Sequence, residues 1–201
     1  MTIANNTFVT DQPAFLNGYL SDIVISNLII YNITTSNRVI SSIDSRLTFT
    51  DSNIVDIYSS SSGDFISISF ESHAIMSNLT YTNSTAEFVT VLLSSLEFTN
   101  LQLSNMAVND YLFSMIDCTS AIIQNIVISN INSTRDSMVL LSGSSIDSIS
   151  NLTISESNVT SLHILKSNVT SMNLVEISHS RQSIHFEQSQ VDLLEQSQFS
   201  Y

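Results

Sequence analysis

The sequence predicts an all-β fold, a parallel β-helix solenoid of about seven coils with about 22 to 26 residues per coil. Two observations predict it. A short pattern, Asn-apolar-x-apolar-x-Asn, recurs along the chain, and its apolar residues alternate with polar ones at the period of a β-strand. From Asn78 onward the leading Asn also recurs at a nearly constant interval, at Asn100, Asn125, Asn151 and Asn173.

The clearest copies of the pattern begin at Asn27, Asn78, Asn100 and Asn125, and segments 46–51 and 151–156 keep the alternation with substituted ends. Alternation places one side chain of each copy at the same inward position, so Leu101, Ile126 and Leu152 should stack from coil to coil. A second strand is predicted roughly ten positions after each copy, and a third, weaker one precedes the next copy.

Asparagine is the predicted corner residue, because the chain has three Gly and one Pro and Asn tolerates the left-handed αL conformation. The second Asn of each copy should form the corner, with Asp51 in the same column, and stacked amides should hydrogen-bond as a ladder. In that arrangement Asn32 and Asn83 should point inward. The predicted ladder consists of Asn32, Asn83, Asn105 and Asn130.

Three regions are predicted along the chain. Residues 1–19, which contain Pro13, form an N-terminal segment that loosely caps the first coil. Residues 20–190 form the parallel β-helix. Residues 191–201 form an incomplete coil or a C-terminal extension. Within the helix, segment 173–177 breaks the alternation by one position, which predicts a β-bulge.

The Asn-Leu-Thr-Ile and Asn-Ile-Val-Ile units resemble the repeats of right-handed parallel β-helix proteins, the pectin-lyase-like superfold, including its repeat-rich surface proteins. The resemblance covers roughly residues 20–190. It implies a fold better than a function, because this superfold hosts polysaccharide lyases, hydrolases, phage tailspikes and adhesins. The alternative fold is a leucine-rich repeat, whose period also spans about 20 to 29 residues. Its Asn should fall three positions after the second strand leucine, whereas here it falls two after.

Composition excludes several kinds of partner. The chain carries 40 Ser and 19 Asn, only 11% charged residues, and a net charge of −13. That charge repels phosphate backbones and anionic lipid headgroups, so neither nucleic acid nor a membrane surface is an expected partner. Apolar runs are too short to insert in a membrane. A single cysteine, Cys118, predicts a buried thiol, and no cofactor is expected.

Eight asparagines fit the N-glycosylation acceptor pattern: Asn5, Asn32, Asn78, Asn83, Asn132, Asn151, Asn158 and Asn168. The favoured acceptors are Asn132, Asn158 and Asn168, which should lie between strands, together with Asn78 and Asn151. Acceptors in this number predict an extracellular or cell-surface glycoprotein. The N-terminal residues lack the basic start and apolar middle of a signal peptide, so either the chain is not secreted or its signal peptide lies outside this sequence.

Catalytic chemistry is not predicted. Polysaccharide-cleaving enzymes of the resembled superfold use clustered acids with Arg or Lys, and this chain has only five basic residues. Two histidines, His163 and His185, lie equally far beyond the starts of successive units and should stack outward on adjacent coils. With Glu187 they are candidate ligands for zinc or copper. The preferred interpretation is two exposed histidines brought into contact by the repeat, with no metal.

The sequence therefore predicts a non-catalytic structural or adhesive extracellular rod, acting as a surface coat, spacer or filament-forming segment. The alternative is a carbohydrate-binding or carbohydrate-cleaving β-helix protein. Expected partners are further copies of the chain stacked end to end, other surface proteins, and glycans.

Overall fold

In a computed structural model, the protein is a parallel β-solenoid of about seven turns. The structure describes residues 2–8, 16–35, 38–59, 64–134 and 137–200, and within these it leaves out the side chains of residues 2–8, 137, 157, 159–161, 180 and 181–183. Pro13 lies outside the described residues. No helix occurs among the described ranges, which agrees with the predicted fold class.

Among the residues that the structure describes, eighteen strands pair in one continuous sheet, and the pairings between neighbouring coils are parallel. The strands are β1 (Thr2–Phe8), β2 (Leu16–Tyr19), β3 (Asp22–Ser26), β4 (Ile29–Thr35), β5 (Ile40–Ile43), β6 (Arg46–Ser59), β7 (Asp64–Ser69), β8 (His73–Thr82), β9 (Glu87–Leu92), β10 (Ser95–Val108), β11 (Phe113–Ile116), β12 (Ser120–Ser133), β13 (Ser137–Ser142), β14 (Ser145–Ile146), β15 (Ser148–Leu165), β16 (Asn168–Glu187), β17 (Gln190–Glu195) and β18 (Gln198–Phe199).

One central coil illustrates the path of the chain. Strand β10 is straight over residues 95–99, bends at Asn100, runs over 101–104, bends again at Asn105 and continues to Val108. After a short connection, β11 forms the fourth side and ends at the third bend, Asp117. The three predicted strands of each unit are confirmed. The fourth segment, residues 106–108 in this coil, is additional, and it carries its own buried residue, Met106.

The predicted inward columns are confirmed. Leu101 pairs with Ile126, and Ile126 pairs with Leu152 in the next coil. All three side chains are at most 4% exposed, so each coil covers the apolar face of its neighbour. Burial of such side chains supplies most of the stabilisation of a solenoid, since an isolated coil has no interior.

Five aromatic rings form a continuous stack inside the central coils. Their centroids are separated by 5.3, 5.1, 6.0 and 4.9 Å in the order Phe65, Tyr81, Phe88, Phe98 and Phe113. These tilted contacts are within the range in which aromatic pairs attract beyond simple burial. The Tyr81 hydroxyl donates to the Ala86 carbonyl at 3.0 Å, and burial raises the pKa of Tyr81 far above its ordinary value.

Most bends are made by one residue in the αL conformation and one bend by two, Phe70 and Glu71, and φ lies between 46° and 62° in all of them. The prediction that Asn makes these corners is confirmed, and it applies to two columns. The first corner column contains Asn27, Asp51, Asn78, Asn100, Asn125, Asn151, Leu174 and Gln196; the second contains Asn32, Asp56, Asn83, Asn105, Asn130, Glu156 and His179.

Register corrects two sequence assignments. Asp51 belongs to the first corner column and not the second, because segment 46–50 pairs with Asp22–Ser26 and His73–Ser77, the strand before the Asn pattern. The predicted bulge at 173–177 is also wrong. Asn173 pairs with Ser150, and Leu174 takes the corner that Asn151 occupies one coil earlier. The irregularity in this pair of coils lies between Ser157 and Thr160.

Strands on both sides of the two predicted region boundaries belong to the same sheet. Thr2–Phe8 pairs in parallel with β4, and Leu16–Tyr19 pairs with β5. At the other boundary, Gln190–Glu195 pairs with β16. The stack therefore includes strands on either side of residues 19 and 190.

A buried serine column follows the third bend. Its members stand directly after an αL residue, and each hydroxyl donates to a carbonyl two or three positions earlier in its own coil. Most also accept a backbone N–H from the aligned residue of the preceding coil at 3.1–3.2 Å. The column consists of Ser45, Ser72, Ser94, Cys118, Ser144, Ser167 and Ser189. At each bend, some backbone N–H and C=O groups do not pair between strands. The serine hydroxyl supplies their hydrogen bonds instead.

Cys118 occupies the position of a serine in this column. It is 3% exposed, its Sγ lies 3.6 Å from the Ile116 carbonyl oxygen, and its backbone N–H donates to Ser144 Oγ at 3.1 Å. Burial raises the pKa of the Cys118 thiol. The buried thiol predicted from the sequence is confirmed, with a position in the hydrogen-bonded corner.

We predict that Ser144→Ala lowers the free energy of unfolding by about 1–3 kcal/mol, because it leaves the buried Cys118 N–H without an acceptor. Ser145→Ala is the matched control, since Ser145 is the next residue and is exposed. It should change the free energy of unfolding by less than about 0.5 kcal/mol. Urea unfolding of both variants measures the difference. Equal losses in the two variants would contradict the role given to the column.

Candidate functional site

The candidate functional surface is the outward wall of the solenoid, where each residue lies beside its equivalents in the neighbouring coils. The first corner column carries an amide ladder. Each Asn side chain donates through Nδ2 to Oδ1 of the preceding coil at 2.8–3.0 Å. The ladder runs through Asn151, Asn125, Asn100, Asn78 and Asp51. Its last member only accepts, as an ionised carboxylate must.

The second corner column contains the four asparagines predicted as a ladder. All four have φ of 54° or 55°. Asn130 Nδ2 donates to Asn105 Oδ1 at 2.8 Å, and the backbone N–H of Asn83 donates to the Ser104 carbonyl at 3.2 Å. Asn32 and Asn83 are exposed, so the prediction that they point inward is wrong. An αL residue with a side chain in the bend directs that side chain away from the core, whatever its polarity.

The longest amide ladder was missed because the sequence pattern has an Asn at both ends. Sequence reasoning assigned the corner to the second Asn alone, although the first is the more regularly spaced. The sequence feature that identifies this ladder is the regular interval at which the first Asn recurs. A residue that is repeated once per coil must stack on the same residue of the next coil.

The favoured glycosylation acceptors lie on the outward wall but within strands, which corrects the expectation that they stand between strands. Asn132 is in β12, Asn158 in β15 and Asn168 at the start of β16, and all three are exposed. Asn158 Nδ2 donates to Asn132 Oδ1, and its Oδ1 accepts the Ser133 N–H at 3.2 Å. Asn168 belongs to neither corner column. Asn78 and Asn151, by contrast, hydrogen-bond within the ladder.

His163 and His185 pair directly in the register of β15 and β16, as predicted for residues on adjacent coils. Their rings meet edge to face, with centroids 4.7 Å apart and planes at 86°. Both are half-buried on the outward wall. Glu187 lies two positions beyond His185 and pairs with Leu165, two positions beyond His163. The structure thus brings all three candidate ligands together.

Two of the basic residues that a polysaccharide-cleaving site would need, Arg46 and Lys166, lie several coils apart. Arg38 lies 3.8 Å from Asp64 of the next coil, measured from Nε to Oδ2. Arg46 follows the third bend at Asp44, and Lys166 forms the same bend five coils later. At the parallel-strand spacing five coils span about 24 Å. Arg135 and the side chain of Arg181 lie outside the described residues.

The interior offers little space for a ligand. A cavity lined by apolar side chains, with Phe98, Ile126 and Leu152 among them, has a volume of about 20 Å³, which is close to the size of one water molecule. The interior at this point is therefore packed side chains and not a binding pocket. The part of the chain that the structure describes contains no helix long and apolar enough to span a membrane.

We predict that Asn100→Ala lowers the free energy of unfolding by about 2–3 kcal/mol, because alanine in αL costs about 1–2 kcal/mol and the ladder loses two amide hydrogen bonds. Asn100→Gly separates the two effects, since glycine adopts αL freely, and it should cost only about 1 kcal/mol. Asn100 is not a glycosylation acceptor, so glycans do not complicate the comparison. Chemical denaturation measures both losses. Equal losses would mean that the αL bend does not select asparagine.

Comparisons with known proteins do not show what this chain does. No protein-family model matches the chain, and no curated protein matches it. Among solved structures, a trypsin-treated form of QnrB1, a plasmid-mediated fluoroquinolone resistance protein, is 11% identical, with a TM-score of 0.36 over 96% of this chain and 91% of that chain. A similarity of that size carries no argument about what this chain does, so its function has to be argued from its own stacked columns.

Proposed function

We propose that this chain is a non-catalytic structural or adhesive rod of the extracellular space, built as a right-handed β-helix of the pectin-lyase-like kind. The observation that carries the proposal is the outward wall of repeated hydroxyl and amide side chains around a filled core. Such a surface offers the same weak contacts once per coil, and repeated weak contacts add up to strong attachment.

The hydrogen bonds of the stack favour a mechanical role. Backbone bonds between parallel strands, the amide ladder and the buried serine column all run from one coil to the next. Seven coils at the parallel-strand spacing give a length of about 34 Å. Polar side chains that hydrogen-bond along the axis support a spacer that resists bending, since bending would open these bonds on one side.

Partners of the proposed rod are further copies of the chain. In β17, Leu194 pairs with Met172 of the preceding coil, and Met172 is fully buried whereas Leu194 is 53% exposed. Leu194 therefore holds an inward position that another coil would cover. An uncovered apolar face recruits a further layer of strands, and we propose that a second copy of the chain supplies that layer. Other surface proteins and glycans are additional candidates for the side wall.

Electron microscopy and size-exclusion chromatography of the native chain over a concentration series test the assembly. We expect rods that lengthen into filaments as concentration rises. Leu194→Asp should shift the population to single rods, because a carboxylate at the uncovered inward position opposes stacking. Leu174→Asp is the matched control, since it makes the same change at an outward corner, where Asp tolerates αL. A discrete monomer that depolymerises a uronic-acid polymer would establish the carbohydrate-cleaving alternative instead.

Glycan analysis tests the extracellular location. We expect N-glycosidase to lower the mass of protein purified from its natural source, with Asn168 occupied because it is exposed and outside the corner columns. Asn168→Gln should remove that glycan. Asn17→Gln is the control, since Asn17 is exposed in β2 but is followed by Gly-Tyr and is no acceptor. Protein from the natural source with no N-glycan at any site would contradict the extracellular proposal.

A further inference from the structure

The histidine pair on β15 and β16 has a carboxylate beside both rings. Glu187 Oε2 lies 3.7 Å from His163 Nε2 and 3.9 Å from His185 Nε2. One potential ligand atom from each of the three residues lies within 4.8 Å of the other two. Stacking of adjacent coils explains why the two histidines are in contact. It does not explain why a carboxylate, Glu187, lies beside both rings.

We propose that His163, His185 and Glu187 bind one divalent transition-metal ion of the zinc type on the outward wall of the solenoid. Two imidazoles and one carboxylate form the ligand set. The ion would join adjacent coils, because His163 belongs to one coil and His185 and Glu187 to the next.

The three ligand atoms must move closer to one another to bind such an ion. Zinc–nitrogen and zinc–oxygen bonds of about 2.0–2.2 Å place tetrahedral ligand atoms roughly 3.3–3.5 Å apart. The two distances to Glu187 exceed this by a few tenths of an ångström. Glu187 has a side chain 51% exposed, so rotation about its own bonds shortens these two distances. The nitrogens of the two imidazoles lie within 4.8 Å of each other, and rotation of the rings has to shorten that separation.

The donor types select the class of metal. Imidazole nitrogen suits zinc, copper and nickel, whereas calcium and magnesium prefer sets of oxygen ligands. Three protein ligands leave a fourth coordination position open, on the side that faces solvent.

This inference goes beyond the proposed rod and does not rest on it. A metal held between β15 and β16 would act as a clip across two coils, in addition to their backbone hydrogen bonds. Because the ion binds only when the coils are aligned, it stabilises the folded stack by mass action.

Isothermal titration of the untagged chain with zinc chloride tests the site, with thermal unfolding in zinc and in calcium as a second readout. We expect one zinc per chain and a melting temperature that rises with zinc but not with calcium. His185→Asn and Glu187→Gln should each weaken zinc binding by at least about 100-fold, since loss of even an outer partner of a metal ligand costs about 10–100-fold. Cobalt absorption in the visible range should report a four-coordinate site in the unchanged chain and vanish in both variants.

His179→Asn is the matched control. His179 is a histidine of the second corner column with φ 51°, asparagine tolerates that conformation, and zinc affinity should be unchanged. Circular dichroism without metal checks that each variant folds. If a histidine variant does not fold, Glu187→Gln still tests the site, because the Glu187 side chain is exposed. Zinc binding that survives both ligand substitutions, or that is lost in His179→Asn, would overturn the proposed site.

Discussion

The structure depends on one constraint, that every coil must lay its inward side chains on those of the coil before it. Parallel strands hydrogen-bond only in register, and a shift of one position would turn the buried face outward. Coils of different length satisfy the constraint because the length differences fall in the connections and, at Phe70 and Glu71, in a bend of two αL residues. The stretch from Asn78 to Asn100 is shorter than the stretch from Asn125 to Asn151, yet Leu79, Leu101, Ile126 and Leu152 still pair.

The same stacking explains why the chain is rich in Ser and Asn and poor in charge. A residue repeated once per coil meets its own kind at about 4.8 Å. Amides gain a hydrogen bond in that position, whereas like charges repel. The acidic residues of the first and second corner columns follow this rule: Asp51 stands between Asn27 and Asn78, and Asp56 stands between Asn32 and Asn83. Charge is present, but in these columns Asp does not follow Asp in successive coils.

The inward columns could be predicted from the sequence because few folds accommodate alternating apolar residues that recur at a regular interval. The pairing of Leu101 with Ile126 is an example. It misplaced Asp51 because segment 46–51 alternates equally well in the neighbouring strand, and only long-range pairing distinguishes the two. The buried serine column was missed for a different reason. Its preceding corners are Asp44, Leu93, Gly143 and Lys166 among others, which share no chemistry, so the regular serine that follows them is hidden among 40 serines.

The proposed metal site at the histidine pair follows from the same geometry as the amide ladder. In a globular fold, ligands from distant parts of the chain must be brought together by an unrelated set of contacts. In a solenoid, one residue that recurs after a single coil is sufficient, since His163 and His185 stand one coil apart and pair directly. A carboxylate two positions beyond the second histidine then completes a three-ligand cluster on one strand pair. New chemistry on such a wall therefore requires only a repeat that is kept in register and a substitution at one further position.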